Sequence, residues 1–106
     1  MNKVWWKTVA AFSLGTVLSA SSWVFAQDDG TRVYELYCAM CHNNDMMGAP
    51  RYGEKREWRE RLSQGEPALI EHAINGFNKM PAKGGNGGLS DEDVRAATTH
   101  LLSSVK

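Results

Sequence analysis

Apolar positions recur mostly at helical spacing along this chain, and glycine and proline mark where each run stops. Over 30–41, Val33, Tyr34, Tyr37 and Cys38 fall on one face while Arg32 and Glu35 face away, which predicts a short helix. Residues 43–53 hold Asn, Asp, two Gly and a Pro and read as loop. Over 54–64, acids and bases alternate around Trp58 and Leu62, the pattern of a mostly solvated helix, and Gly65 stops it. Pro67 opens a third helix and Gly76 sits just past its end; Leu69, Ile70, Ala73 and Ile74 form its apolar face. The loop at 82–88 holds four glycines. It lacks the spacing of a phosphate-binding loop and a following Lys-Ser/Thr, so it reads as a connector. Ser90 with an acid three residues later makes a capping box. It opens a last helix with Val94, Ala97, Leu101 and Leu102 as its apolar positions. The pattern predicts an all-α chain of three to five short helices joined by long loops, with no internal repeat.

The first 26 residues break this pattern. They carry Lys3, Lys7 and no acid, then an apolar stretch that ends Val24-Phe25-Ala26. A basic start, an apolar middle and small residues three and one before the end predict a secretory signal peptide cleaved after Ala26. The competing reading is a retained anchor, since about 19 apolar residues nearly span a bilayer. The Ser/Thr content and the Val-x-Ala end favour cleavage. Residues 27–106 are then the folded domain. The whole chain, 106 residues with 12 bases against 12 acids, is one domain's worth and shows no basic stripe for nucleic acid. Without the leader the balance becomes 10 bases against 12 acids, and Trp58 alone remains of four tryptophans. A chain that short has a small core and often relies on a staple.

Cys38-Ala39-Met40-Cys41-His42 supplies that staple: Cys-x-x-Cys-His is the attachment motif for c-type haem. Cysteines three apart lie on one side of a helical turn, so both sulfurs reach vinyl groups on one edge of a porphyrin. The next residue, His42, is then held against the iron. Three plainer readings compete. A thioredoxin-like pair needs a strand–helix context that this chain lacks. Structural zinc usually needs four ligands, and there is no second Cys pair. A disulfide between residues this close would staple little.

For the second face of the iron the candidates are Met40, Met46, Met47, Met80, His72 and His100. Met40 is tethered between the cysteines. Met46 and Met47 follow His42 by a span of roughly 14–18 Å even when extended, barely enough to round a macrocycle. His72 lies beside Glu71, off the apolar face, and reads as solvent-facing. His100 lies between Ala97 and Leu101 and reads as a helix contact or surface position. Met80 follows a helix and loop long enough to cover the other face, and Pro81 restricts it to extended geometry. His42 and Met80 are therefore the expected axial pair.

Together these residues resemble the small soluble bacterial class I cytochromes c, particularly the c-five type. The resemblance runs through Gly30-x-x-Val33-Tyr34, Cys38-x-x-Cys41-His42, Gly48-Ala49-Pro50, Gly53, Trp58-x-x-Arg61, Gly76-x-x-x-Met80-Pro81, Lys83-Gly84-Gly85 and Leu89-Ser90-Asp91. It covers nearly all of 28–106. It implies that Gly30 and Tyr34 lie where the first and last helices cross. It implies that the Pro50 carbonyl accepts from the His42 ring, and that Trp58 packs beside the haem and offers its indole N–H to a propionate. Arg61, or Arg51, would pair with propionate charge. The chain departs from the family pattern in three places. Asn86-Gly87-Gly88 stands where many members carry a Cys pair. Asp45-Met46-Met47 replaces a Gly and small residues. His100 replaces an aromatic.

The function implied is a periplasmic one-electron carrier with one covalent haem c, and not an enzyme. Its partners would be redox proteins met transiently through small interfaces, with Met46, Met47 and Ala49 as a docking patch. No nucleic acid and no permanent membrane anchor are expected. Two other functions fit the same motif: a dedicated haem subunit of a periplasmic oxidoreductase, and a gas sensor whose Met ligand is displaceable.

Overall fold

The computed structural model describes residues 13, 15, 16 and 29–106. The expected leader at 1–26 and its cleavage point therefore lie essentially outside the described residues. Four helices make up the rest, with no strand among the described residues. Helix α1 covers 29–42, α2 Lys55–Leu62, α3 Glu66–Asn75 and α4 Asp91–Ser103. Two short 3₁₀ turns, Met46–Gly48 and Ala82–Gly85, sit in the loops. No helix among the described residues is long and apolar enough to cross a membrane.

The local signals act where they are placed. Pro67 sits in the first turn of α3, where its missing N–H costs nothing. Ser90 Oγ accepts from the Asp93 N–H at 3.0 Å and the Asp93 carboxylate accepts from the Ser90 N–H at 3.2 Å, so the capping box of α4 is complete. The acids Asp91, Glu92 and Asp93 also complement the helix dipole.

One element was not legible. The middle of α1, Tyr34–Cys38, is π-helical, closed by the Ala39 N–H donating to the Tyr34 carbonyl. Tyr34 is buried, and Tyr37, 41 % exposed, lines the space between the helices together with Cys38, so both lie on the side that the helical spacing assigned. The α-helical turn that follows, Ala39–His42, carries the cysteine pair and ends on buried His42.

Tyr34, Trp58, Leu69, Ala97, Leu101, Leu102 and Val105 form one core cluster. Helix α3 packs along α4, and α4 crosses α1. Gly30 makes that crossing close: a Cβ there would lie 2.6 Å from the Ala96 carbonyl oxygen. Beside it, His100 packs against the rings of Tyr34 (5.4 Å) and Tyr52 (5.5 Å), which lie 5.2 Å from each other, with Nδ1 3.3 Å from Thr31 Oγ1. His100 is thus a helix-contact residue.

Gly30→Ala should push the crossing apart and destabilise the protein by about 1–3 kcal/mol. Denaturant unfolding of the haem-loaded protein measures this. An unchanged midpoint would show that the helices can separate without cost.

Candidate functional site

Between the helices lies a cavity of about 710 Å³, mostly apolar in lining. That is within the range of cofactor pockets. Cys38, Cys41 and His42 approach it from the end of α1. Trp58 and Arg61 reach it from α2, Leu69, His72 and Ala73 from α3, and Met80 from the loop beyond.

His42 is 7 % exposed, and its Nδ1 lies 2.7 Å from the Pro50 carbonyl oxygen. A carbonyl only accepts, so Nδ1 carries the proton and the Nε2 lone pair is left free. Burial lowers the pKa of this imidazole, against the raising effect of the Pro50 bond, and nearby Arg61 lowers it further. The ring is therefore neutral, the form that ligates a metal. The loop around it is tied in more than once: the Tyr52 N–H donates to the His42 carbonyl at 2.7 Å.

Burial pushes the Cys38 thiol up to about 11, with neighbouring Cys41 adding to the effect. A reactive redox dithiol has the opposite character, a lowered pKa. No group of three His, Cys, Asp or Glu side chains comes together among the described residues, which speaks against a zinc site. The donor set on this apolar cavity is two thiols on one helical turn, the buried neutral imidazole of His42, the imidazole of His72, and the thioethers of Met46, Met47 and Met80. That set suits a covalently tethered haem.

Over residues 25–101 the chain matches the family described as cytochrome C oxidase, cbb3-type, subunit III. It is 38 % identical over 104 residues to cytochrome c-555 of Chlorobaculum tepidum, covering 92 % of this chain and 96 % of that one. The chain belongs to this family of small class I c-type cytochromes. It is also 36 % identical over 63 residues to cytochrome c5 of Ectopseudomonas mendocina, covering 58 % of this chain and 72 % of that one. In fold it is similar to a chain of the crystal structure of an electron transfer complex of nitrite reductase with cytochrome c. That match has a TM-score of 0.69 and 29 % identity, and covers 74 % of this chain and 95 % of that chain. The cytochrome carries one haem c, attached through Cys38 and Cys41, and it is an electron carrier.

The remaining site residues of this cytochrome divide into those that face the cavity freely and those already engaged. Trp58 is buried with its ring 6.0 Å from that of His42, but its indole N–H donates to the Arg51 carbonyl at 2.8 Å. The indole is thus not a free donor for a propionate, because the loop before α2 folds back over it. Arg51 is engaged too: its guanidinium forks onto Glu57 at 2.7 and 2.9 Å, and that bond holds the Glu57 carboxyl below its usual range. Arg61 does line the cavity, while one of its guanidinium nitrogens donates to the Glu57 carbonyl. His72 is half-buried rather than solvent-facing. It lines the cavity and stacks on Phe77, with ring centroids 3.9 Å apart and planes within 10°. The periodicity of α3 carries no sign of this stack, because Phe77 lies in the loop beyond the helix. Tyr34 donates to Asn43 Oδ1, and burial raises its phenol above the ordinary range, with Cys38 and Tyr52 adding to the shift.

Trp58→Phe keeps the ring and deletes the donor to Arg51. It should cost about 1 kcal/mol of unfolding free energy, measured on the haem-loaded protein. No loss would mean that water replaces the indole at that carbonyl.

Proposed function

We propose that this cytochrome is a periplasmic one-electron carrier, with His42 and Met80 as the axial ligands and no catalytic step of its own. When bound, the haem supplies a single-electron couple at its iron. What the chain supplies is a fixed pair of donors and a dry wall. The observation that carries the reading is the His42–Pro50 bond: it leaves Nε2 as the free donor of that ring, on a cavity that Met80 also lines. Held by these two residues, the metal would have no open position for a substrate and could change oxidation state with little movement of the chain. Met/His ligation and burial both raise the potential. Pro50 fixes the His42 tautomer, Trp58 walls the cavity, and Arg61 is placed to face propionate charge.

Residues 1–26 are read as a leader removed on export, which would place the protein in the periplasm. Its partners are redox proteins met transiently. The related cytochrome c in the nitrite reductase complex supports that class of partner. The methionines after the attachment motif suit a docking patch. Met46 and Met47 line the attachment edge of the cavity and are 41 % and 65 % exposed, and Met46 Sδ lies 3.7 Å from Cys41 Sγ. Polarisable, unbranched side chains adapt to more than one partner surface. The family description names an oxidase subunit, which favours a dedicated-subunit role as the second reading. A stable stoichiometric complex recovered from periplasm would support that role over the free carrier.

Met80→Ala should abolish the weak long-wavelength Met–iron band of the ferric protein and let carbon monoxide bind the ferrous form. A band that survives the substitution rules out Met80 as the ligand. Replacing Met46 and Met47 together with Ser should weaken binding of the physiological redox partner by about 1 kcal/mol, a factor of roughly five. Unchanged electron-transfer kinetics would move the docking patch elsewhere.

A further inference from the structure

The segment carrying Met80 is held at three points. Upstream, Gly76 at φ +88° turns the chain so tightly that a Cβ there would lie 3.2 Å from the Met80 carbonyl oxygen and 3.0 Å from the Ala82 nitrogen. At Met80 itself, Phe77 and Met80 exchange N–H···O bonds, both 2.9 Å. Downstream, the tie is a side chain. Lys83 Nζ donates to the Leu89 carbonyl at 2.7 Å and lies 3.1 Å from Asp91 Oδ1, bridging from the loop to the start of α4.

The two contacts of that ammonium differ in shelter. The Lys83 side chain is 22 % exposed and that of Asp91 is 61 % exposed. An ion pair so open to water contributes little, whereas a charge-assisted bond to a carbonyl keeps its strength. The backbone shows that the loop needs such a tie. Lys83 and Gly84 both adopt left-handed conformations, φ +56° and +64°. A lysine has no local reason to do so. Gly84 in turn lies so close to α1 that a Cβ would sit 3.0 Å from the Tyr37 carbonyl oxygen. Four glycines between 84 and 88 give this stretch wide freedom unless something outside it restrains the chain.

We propose that Lys83 is the positioning residue for Met80. Its bond to the Leu89 carbonyl clamps the turn that follows Pro81 to the far end of the glycine loop, two residues before α4, and so keeps the Met80 side chain in the cavity. This rests on Met80 being the second axial ligand.

The test uses the haem-loaded protein. Lys83→Met keeps the aliphatic stem and removes the donor. The expected result is unchanged far-UV circular dichroism, a weakened ferric Met–iron band and about tenfold faster carbon monoxide binding to the ferrous form. Lys83→Arg should restore both signals, and Asp91→Asn should stay within about twofold of wild type. A Lys83→Met protein with wild-type band and binding rate overturns the clamp. So does an Asp91→Asn protein as open as Lys83→Met, since that would put the restraint in the ion pair. Met80→Ala separates the two ideas. If the band survives there, the axial assignment fails; if it vanishes there yet persists unchanged in Lys83→Met, only the clamp fails. Should Lys83→Met not mature, amide exchange in the wild-type protein decides. The Gly84 and Asn86 N–H groups, bonded to the Pro81 and Lys83 carbonyls, should be as protected as the Phe77–Met80 pair. Exchange at free-peptide rates would overturn the clamp.

Discussion

The hydrogen bond from His42 Nδ1 to the Pro50 carbonyl is the contact around which the attachment side is built. It settles which ring nitrogen is protonated, and so which one is free for iron. It also requires the chain after the motif to return within eight residues. The turn that does this places left-handed Asp45 and Met47 on the outside and brings Tyr52 back to the His42 carbonyl. Once the loop has returned, the Arg51 carbonyl lies over Trp58 and takes the indole proton, and the Arg51 side chain forks onto Glu57. One imidazole bond therefore aligns α1, the loop and α2 together.

That arrangement corrects the role assigned to Trp58. An indole in such a pocket has two uses, as a wall and as a donor. Here the donor is committed to the backbone, and the wall is what faces the cavity. The Arg51 carbonyl also accepts from the Glu54 N–H at 3.2 Å, so the indole is its second donor. Arg61 is left as the cation nearest the cavity from α2.

The helices were legible because their ends are written locally. Pro67, Gly65, Gly76 and the Ser90–Asp93 box act through residues within one turn, and the apolar faces of α3 and α4 follow simple periodicity. Leu69, Ile70, Ala73, Val94, Ala97, Leu101 and Leu102 are all buried as that periodicity requires. The attachment motif was legible for the same reason: its chemistry sits inside five residues. What escaped depends on partners distant in sequence or on a change of helical pitch. The π turn at Tyr34–Cys38 is such a change of pitch, and the helical spacing gave no sign of it. The stacking of His72 on Phe77 and the reach of Lys83 to Leu89 are set by how a loop folds back, which periodicity does not encode.

The two sides of the cavity are secured by different physics. On the His42 side the ties run from two rigid ring N–H groups, His42 and Trp58, and from the Tyr52 amide to backbone carbonyls of a short loop. Those three bonds order few rotatable bonds. On the Met80 side the chain is rich in glycine, and the restraint beyond the Phe77–Met80 pair reaches across by a lysine with four rotatable bonds. A carrier needs both donors fixed, because any movement between oxidation states adds to the barrier for transfer. The covalent tether makes the His42 side hard to lose. The Met80 side has no such tether, so with Met80 as the proposed second ligand the restraint that matters falls on the loop after Pro81. On that proposal the asymmetry locates where a variant of this fold would first lose a ligand: at the glycine loop, not at the motif that names the family.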